Sequence, residues 1–257
     1  MKIADTSKPG PLPAQRLAAR ERPDLPVVMY QRWENLLFVH WRWDPVQVQA
    51  TLPAGLTVDT YHGGAWVGVT PLFMRNARPK FVPPVSFMSD FLELNVRTYV
   101  YDAENRPGVY FHSLDCDQPL VVEAAQRLLH LRYEHAAMRG HVDPAGYAEL
   151  ASRRTGQPAS DVFRYKPATE AHDAEASSLE FFLLERYRLF TAGPGGQLWS
   201  VRVHHPFHRV RQAEAIVSDP VVLRLAGFEP RGRVPDHVCT VDPVDVEVFA
   251  PEPVGPP

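Results

Sequence analysis

Lysine is what this chain most conspicuously lacks: of 27 basic side chains only Lys2, Lys8, Lys80 and Lys166 are amines, and the rest are arginines. Arginine holds its proton at ordinary pH and forms no Schiff base, so amine catalysis has almost no candidates. A GC-biased genome would give the same composition, because one cation replaces the other on a solvated surface at little cost. Cysteine is also scarce. Cys116 and Cys239 could close one bridge at most in 257 residues, which points to free thiols in a reducing cytoplasm. No apolar run approaches the ~18 residues of a membrane-spanning helix. The first 26 residues set five prolines among Arg16, Arg20 and Arg22, with no apolar core of a secretion signal. The lack of a spanning run leaves no membrane partner expected, and a formal net charge of -3 leaves no basic surplus for phosphates, so no nucleic acid is expected either. There is no GxSxG elbow, phosphate-binding loop, GxGxxG fingerprint, HExxH or CxxC, so no cofactor and no metal site is expected.

What is present is an ordinary globular composition, 45% hydrophobic and 11% aromatic, enough for one sizeable domain. That domain is placed at 27–249, between a disordered Pro/Arg-rich tail at 1–26 and a disordered Pro-rich tail at 250–257, where prolines remove backbone donors. From Trp33 to Trp43 the residues alternate as in a strand, and two apolar runs around His62-Gly63-Gly64 read as a hairpin. Arg75 to Asp90, with Pro79, Pro83 and Pro84, reads as a loop. FLELNVRTYVYD alternates strictly from Phe91 and turns at Ala103–Pro107 into a second strand over Gly108–Asp115. Asp117 and Pro119 open an amphipathic helix, and strand-like runs pass through Tyr133, Tyr147 and Tyr165. Ser177 and Glu180 read as a capping box whose helix runs to about Tyr187; its apolar side chains suit core, with a subunit contact in a homo-oligomer as the alternative. A strand over LWSVRVHH, a short helix from Asp219-Pro220 to Gly227, and a strand with Val244, Val246 and Val248 complete the chain. The fold class expected is α+β, a mostly antiparallel, barrel-like sheet with a few flanking helices.

ENLLFVHW, LPAGLTVDTYHGGAWVGVTP, FLELNVRTYV, RPGVYFHSLD, SLEFFLLERYRLF and VHHPF, in this order, resemble the YqjF-like family of bacterial proteins, which has no assigned function, over about Met29 to Phe249. That family is distantly similar to acetoacetate decarboxylase, which implies a cone-shaped barrel with an internal pocket. The decarboxylase works through a lysine Schiff base. Glu93 fits the position of a glutamate of that family, but Glu134 and His135 fall where its lysine pair would stand, so Schiff-base decarboxylation is not supported.

Glu93, Asn95, Arg97, Tyr99 and Tyr101 share one face of a strand whose other face is aliphatic. In an open sheet they would meet water; in a closed barrel they would line a pocket. Arg97 would then anchor a carboxylate and Glu93 would act as acid or base, the two side chains buried and paired with each other or with Tyr99. Alternation sends Tyr133 and His135 to one side of the following strand; the resemblance to the decarboxylase then implies that His135, rather than Glu134, takes the place of the lysine amine at the pocket wall, although a lone histidine more often only hydrogen-bonds. His204, His205 and His208 lack an acidic partner and are interrupted by Pro206, which disfavours a metal. Cys116, between Asp115 and Asp117, is disfavoured as a nucleophile. The reading that follows is a pocket for a small organic acid, with Glu93, Arg97, Tyr133 and His135 as site residues for lyase or hydratase chemistry without a Schiff base. The alternative is a non-catalytic binding or sensing protein.

Overall fold

The computed structural model describes residues 10–217, 220–230, 232 and 234–255. After α1 (Pro13–Ala18), the chain forms β1 (Val27–Glu34), β2 (Leu36–Trp43), α2 (Pro45–Gln49), β3 (Thr57–Val58) and the long β4 (Ala65–Pro79). It continues through α3 (Ser86–Ser89), β5 (Phe91–Tyr101), β6 (Pro107–Cys116), α4 (Pro119–Leu129), β7 (Tyr133–Val142), β8 (Ala148–Arg154), β9 (Asp161–Pro167) and β10 (His172–Asp173). The remainder is α5 (Leu179–Leu184), β11 (Arg188–Ala192), β12 (Leu198–His204), β13 (Arg209–Val217), α6 (Val221–Leu225), β14 (His237–Val241), β15 (Val244–Phe249) and β16 (Glu252–Pro253).

The strand pairings close on themselves twice. One circuit runs β1-β15-β12-β11-β6-β5-β4 and back to β1; the other runs β5-β6-β7-β8-β9-β13-β14-β2-β4 and back to β5. Pairing is antiparallel except for β6 with β7 and with β11. Strands β4, β5 and β6 belong to both circuits, so both of their faces are covered. Their aliphatic face, with Leu94, Val96, Val67 and Val69, packs with Leu150 and Phe163 of the second circuit. The opposite face, with Phe91, Tyr99 and Leu114, packs with Phe38 of β2 under α4 and α5. The polar face of β5 is therefore roofed by apolar helices rather than wetted.

The N-terminal tail is in part a built element. Pro13 sets the first turn of α1, and Arg16 grips Asp59 with two hydrogen bonds of 2.6 and 2.7 Å. At the other end β16 pairs with β12, and Val254 is buried, so these residues pack rather than trail. The strand expected over Trp33–Trp43 is broken at Asn35, which takes a left-handed φ of 47°. The expected hairpin at His62-Gly63 is only a tight turn bridging Tyr61 and Gly64; β3 pairs with β5 instead. Arg75–Asp90 is not one loop, since β4 pairs with β1 as far as Pro79 and α3 follows. Asp117 accepts from the Leu92 N–H while Gln118 caps α4. Asp219 lies outside the described residues. No helix among the described residues is long and apolar enough to cross a membrane.

Candidate functional site

Glu93 is buried, and alternation along β5 turns it under α4 and α5. The Tyr133 hydroxyl donates to its Oε2 at 2.6 Å and the Asn95 amide to its Oε1 at 3.2 Å. Among the described residues no cation pairs with it. Burial pushes its carboxyl above the ordinary range, with the two hydrogen bonds pulling back, and burial beside Glu93 raises the Tyr133 hydroxyl as well. Both shifts favour the protonated forms, so the two side chains share a hydrogen-bonded, proton-holding contact.

Arg97 lies four residues along the same face, about 13 Å away at the usual strand rise of ~3.3 Å per residue, so it does not pair with Glu93. Its guanidinium stacks over Phe38 at 4.7 Å and Tyr99 at 5.7 Å. Nη2 donates to the Leu183 carbonyl at 3.4 Å, while Nε is buried without a partner. No carboxylate among the described residues forms an ion pair with it.

Around Arg97 stands a group that the sequence reading missed. His237, His40, Gly68 and Arg97 are successive cross-strand partners on β14, β2, β4 and β5, a single row facing α5. His40 Nε2 meets the Tyr99 hydroxyl at 2.6 Å, and His40 Nδ1 meets His237 Nδ1 at 3.2 Å. Glu180 at the start of α5 lies 3.9 Å from His237 Nε2 and 2.9 Å from His172 Nε2. Ser178, not Ser177, caps α5, accepting from the Phe181 N–H, and this releases Glu180 to the histidines. The helix ends at Leu184, before Tyr187. Burial holds His40 neutral, helped by His237 and Arg97. The same cause, with the charge of Arg97, lowers His208 and brings His205 down to about 4. His205 stacks on Tyr187 at 4.6 Å, and His208 Nδ1 is buried without a partner. The alternation of Phe38 and His40 in FVHW marks half of this row in the sequence; β14, which supplies the rest, carries no such signal.

His135 is not at this site. It is exposed and bonds Thr155 Oγ1 at 3.1 Å. Alternation fails there because β7 leaves β6 after His135 and takes β8 from Ala136 onward; Glu134 and His135 are both exposed between buried Tyr133 and Ala136. Of the four expected site residues, the structure brings Glu93 and Tyr133 together, sets Arg97 apart on the same face, and puts His135 outside. His204 turns to Glu247 at 3.7 Å while His205 is buried, and among the described residues no three His, Cys, Asp or Glu side chains group as for a metal. Lys80 and Lys166 are partly exposed, Lys166 beside Glu214. Burial raises the thiols of Cys116 and Cys239. On the outside, Arg32, Asn76, Arg78, His204 and Glu247 line an open cleft of about 560 Å³.

Residues 30–245 match the model of the DUF2071 family, described as an uncharacterized conserved protein. YqjF of Bacillus subtilis is 35% identical over 206 residues, which are 80% of this chain and 84% of that protein. Similar solved structures are an enduracididine biosynthesis enzyme, MppR, complexed with pyruvate (12% identity, TM-score 0.61, 91% and 92% of the two chains) and acetoacetate decarboxylase of Legionella pneumophila (14%, 0.62, 98% and 94%). An acetoacetate decarboxylase-like enzyme of Sphingomonas wittichii is a third (15%, 0.61, 90% and 94%). At these identities the likeness is one of fold: the chain has an α+β fold of the acetoacetate decarboxylase type.

Proposed function

The chain belongs to the DUF2071 family, and from that footing we propose that it binds a small organic acid beneath α5, with Arg97 as the carboxylate anchor. The observation that carries the reading is the half-buried Arg97 guanidinium itself: stacked on two rings, without a counter-ion among the described residues, and with a buried Nε that has no partner. A buried N–H donor without an acceptor is costly, and a ligand carboxylate relieves that cost through a charge-assisted bond. The structural neighbour MppR is complexed with pyruvate, which makes short 2-oxo acids the first ligands to test. Glu93 and Tyr133 supply a proton-holding pair further along the strand, suited to lyase or hydratase chemistry that needs no Schiff base.

A second reading, a non-catalytic binding or sensing protein, is favoured by the distance between Glu93 and Arg97, which a three-carbon acid cannot span unaided. A thermal-shift panel tests the binding itself, because a ligand that binds only the folded state raises the melting temperature. Short oxo and hydroxy acids are expected to raise it in the native protein, their amides less, and neither to raise it in Arg97→Met. Equal shifts for native protein and variant would overturn the anchor.

A further inference from the structure

The row that ends at Arg97 has a direction. Beginning outside, His172 and Glu180 are solvent-accessible, with side chains 48% and 22% exposed, His237 is 15% exposed, and His40 and Tyr99 are fully buried. Consecutive members meet at 2.9, 3.9, 3.2 and 2.6 Å. The Glu180 carboxylate faces His237 Nε2 and favours a hydrogen there, which leaves Nδ1 of His237 as an acceptor. His40 must then carry its hydrogen on Nδ1 to donate to His237, and its Nε2 becomes an acceptor. The Tyr99 hydroxyl therefore donates inward to His40, and its oxygen lone pairs are left on the side of Arg97. One carboxylate at the start of α5 thus fixes the tautomers of two histidines and the orientation of a phenol, the logic by which a base is oriented in catalytic triads.

We propose that Tyr99 is a catalytic base toward the acid held at Arg97, and that His40, His237 and Glu180 are positioning residues that carry its proton to the surface. The inference rests on Arg97 as anchor, and it narrows the ligand to acids with a C–H beside a carbonyl. In the step, the Tyr99 oxygen takes the proton of that C–H while its own proton passes to His40 Nε2. The His40 Nδ1 proton moves to His237 Nδ1, and the His237 Nε2 proton crosses the 3.9 Å to Glu180 through one water and then leaves to solvent. The electron pair of the C–H bond becomes the C=C bond of an enolate, and the carbonyl π pair settles on oxygen beside the guanidinium of Arg97. Return of a solvent proton by the same route completes an exchange and needs no other reactant.

The groups facing His40 are those the step uses: Tyr99 and Arg97 from β5 and His237 from β14. From β4 it meets Gly68, where an added Cβ would fall 2.8 Å from its Cδ2. The β4 strand therefore crosses the row without a side chain to interrupt it.

Proton NMR in deuterium oxide reads the step directly, with pyruvate and 2-oxobutyrate as probes and calorimetry reporting their binding. The native protein should wash deuterium into the position beside the carbonyl faster than buffer alone. Tyr99→Phe should lose this by about 100-fold or more, the usual share of a general base, with affinity unchanged. Glu180→Gln, an isostere, should slow exchange by about tenfold without changing affinity, a result that a purely structural role would not give. Binding that needs Arg97 but brings no exchange, or exchange that survives Tyr99→Phe, would overturn the relay and leave the anchor standing. Absence of binding by both probes would overturn both.

Discussion

Glu93 is a buried carboxyl with no cation paired to it among the described residues, and the bond from Tyr133 is the shorter of its two hydrogen bonds. Tyr133→Phe should therefore cost about 1–3 kcal/mol, the penalty of an under-satisfied buried acceptor. The loss should be largest at neutral pH, where Glu93 is most charged, and should shrink as acid neutralises the carboxyl; urea denaturation at pH 7 and pH 5 measures it. Glu93→Gln, which removes the charge, should cost less. Lys80 and Lys166 are half-exposed on the outside of the sheet, so borohydride with acetoacetate should leave no stable adduct on either. A mass shift on Lys80 or Lys166 would contradict that. At this scale the sequence showed the face of β5 correctly, because a regular strand sends residues i and i+2 the same way. It misplaced His135, because a strand that changes partner between two residues loses its alternation there. His40 and His237 become partners only through β14, a pairing with no local signal.

Among the elements, α1 hangs on one carboxylate. Asp59 is buried and takes Arg16 from α1 and Arg186 from the segment after α5 at 2.6 and 2.8 Å, and Arg202 holds the chain beyond α1 through the Ala19 and Glu21 carbonyls. Asp59→Ala would strand the Arg186 guanidinium, itself lowered to about 10 by burial. A loss of about 3–5 kcal/mol is expected, together with new proteolytic cuts between residues 13 and 26. Unchanged protease resistance would mean that α1 is held by something else. The proline-rich composition of this segment suggested disorder because composition does not reveal a long-range ion pair. Strands β5 and β6 were legible from alternation alone, and α4 and α6 from periodicity and flanking proline and glycine. The Asn35 break and the length of β4 were not, since both are set by pairing with β1 and β15.

In the whole molecule, four buried histidines are kept neutral by the fold: His40, His112, His205 and His208. Their folded values lie below that of an unfolded histidine, about 3 for His112 and about 4 for His205. The unfolded chain thus binds more protons below pH 6.5, and stability falls as the pH falls. The expected loss is of order 1 kcal/mol per histidine by pH 6. Asp161, raised to about 6 by burial, works the other way, since protonation relieves it, but only near and below its own value. The melting temperature should therefore drop between pH 7.5 and 6, and a flat profile over that window would contradict the burial described for these rings. His40, His205 and His208 lie within reach of the Arg97 charge, and Arg97 meets α5 at the Leu183 carbonyl; the binding claim stands on that arrangement. Soaking crystals with the acid that gives the largest thermal shift tests it most directly. The account predicts the ligand carboxylate within hydrogen-bond reach of Arg97 Nε, with its carbonyl side toward Tyr99. Density for the ligand only in the outer cleft beside Arg32, Arg78 and His204, with Arg97 Nε still unpartnered, would contradict it.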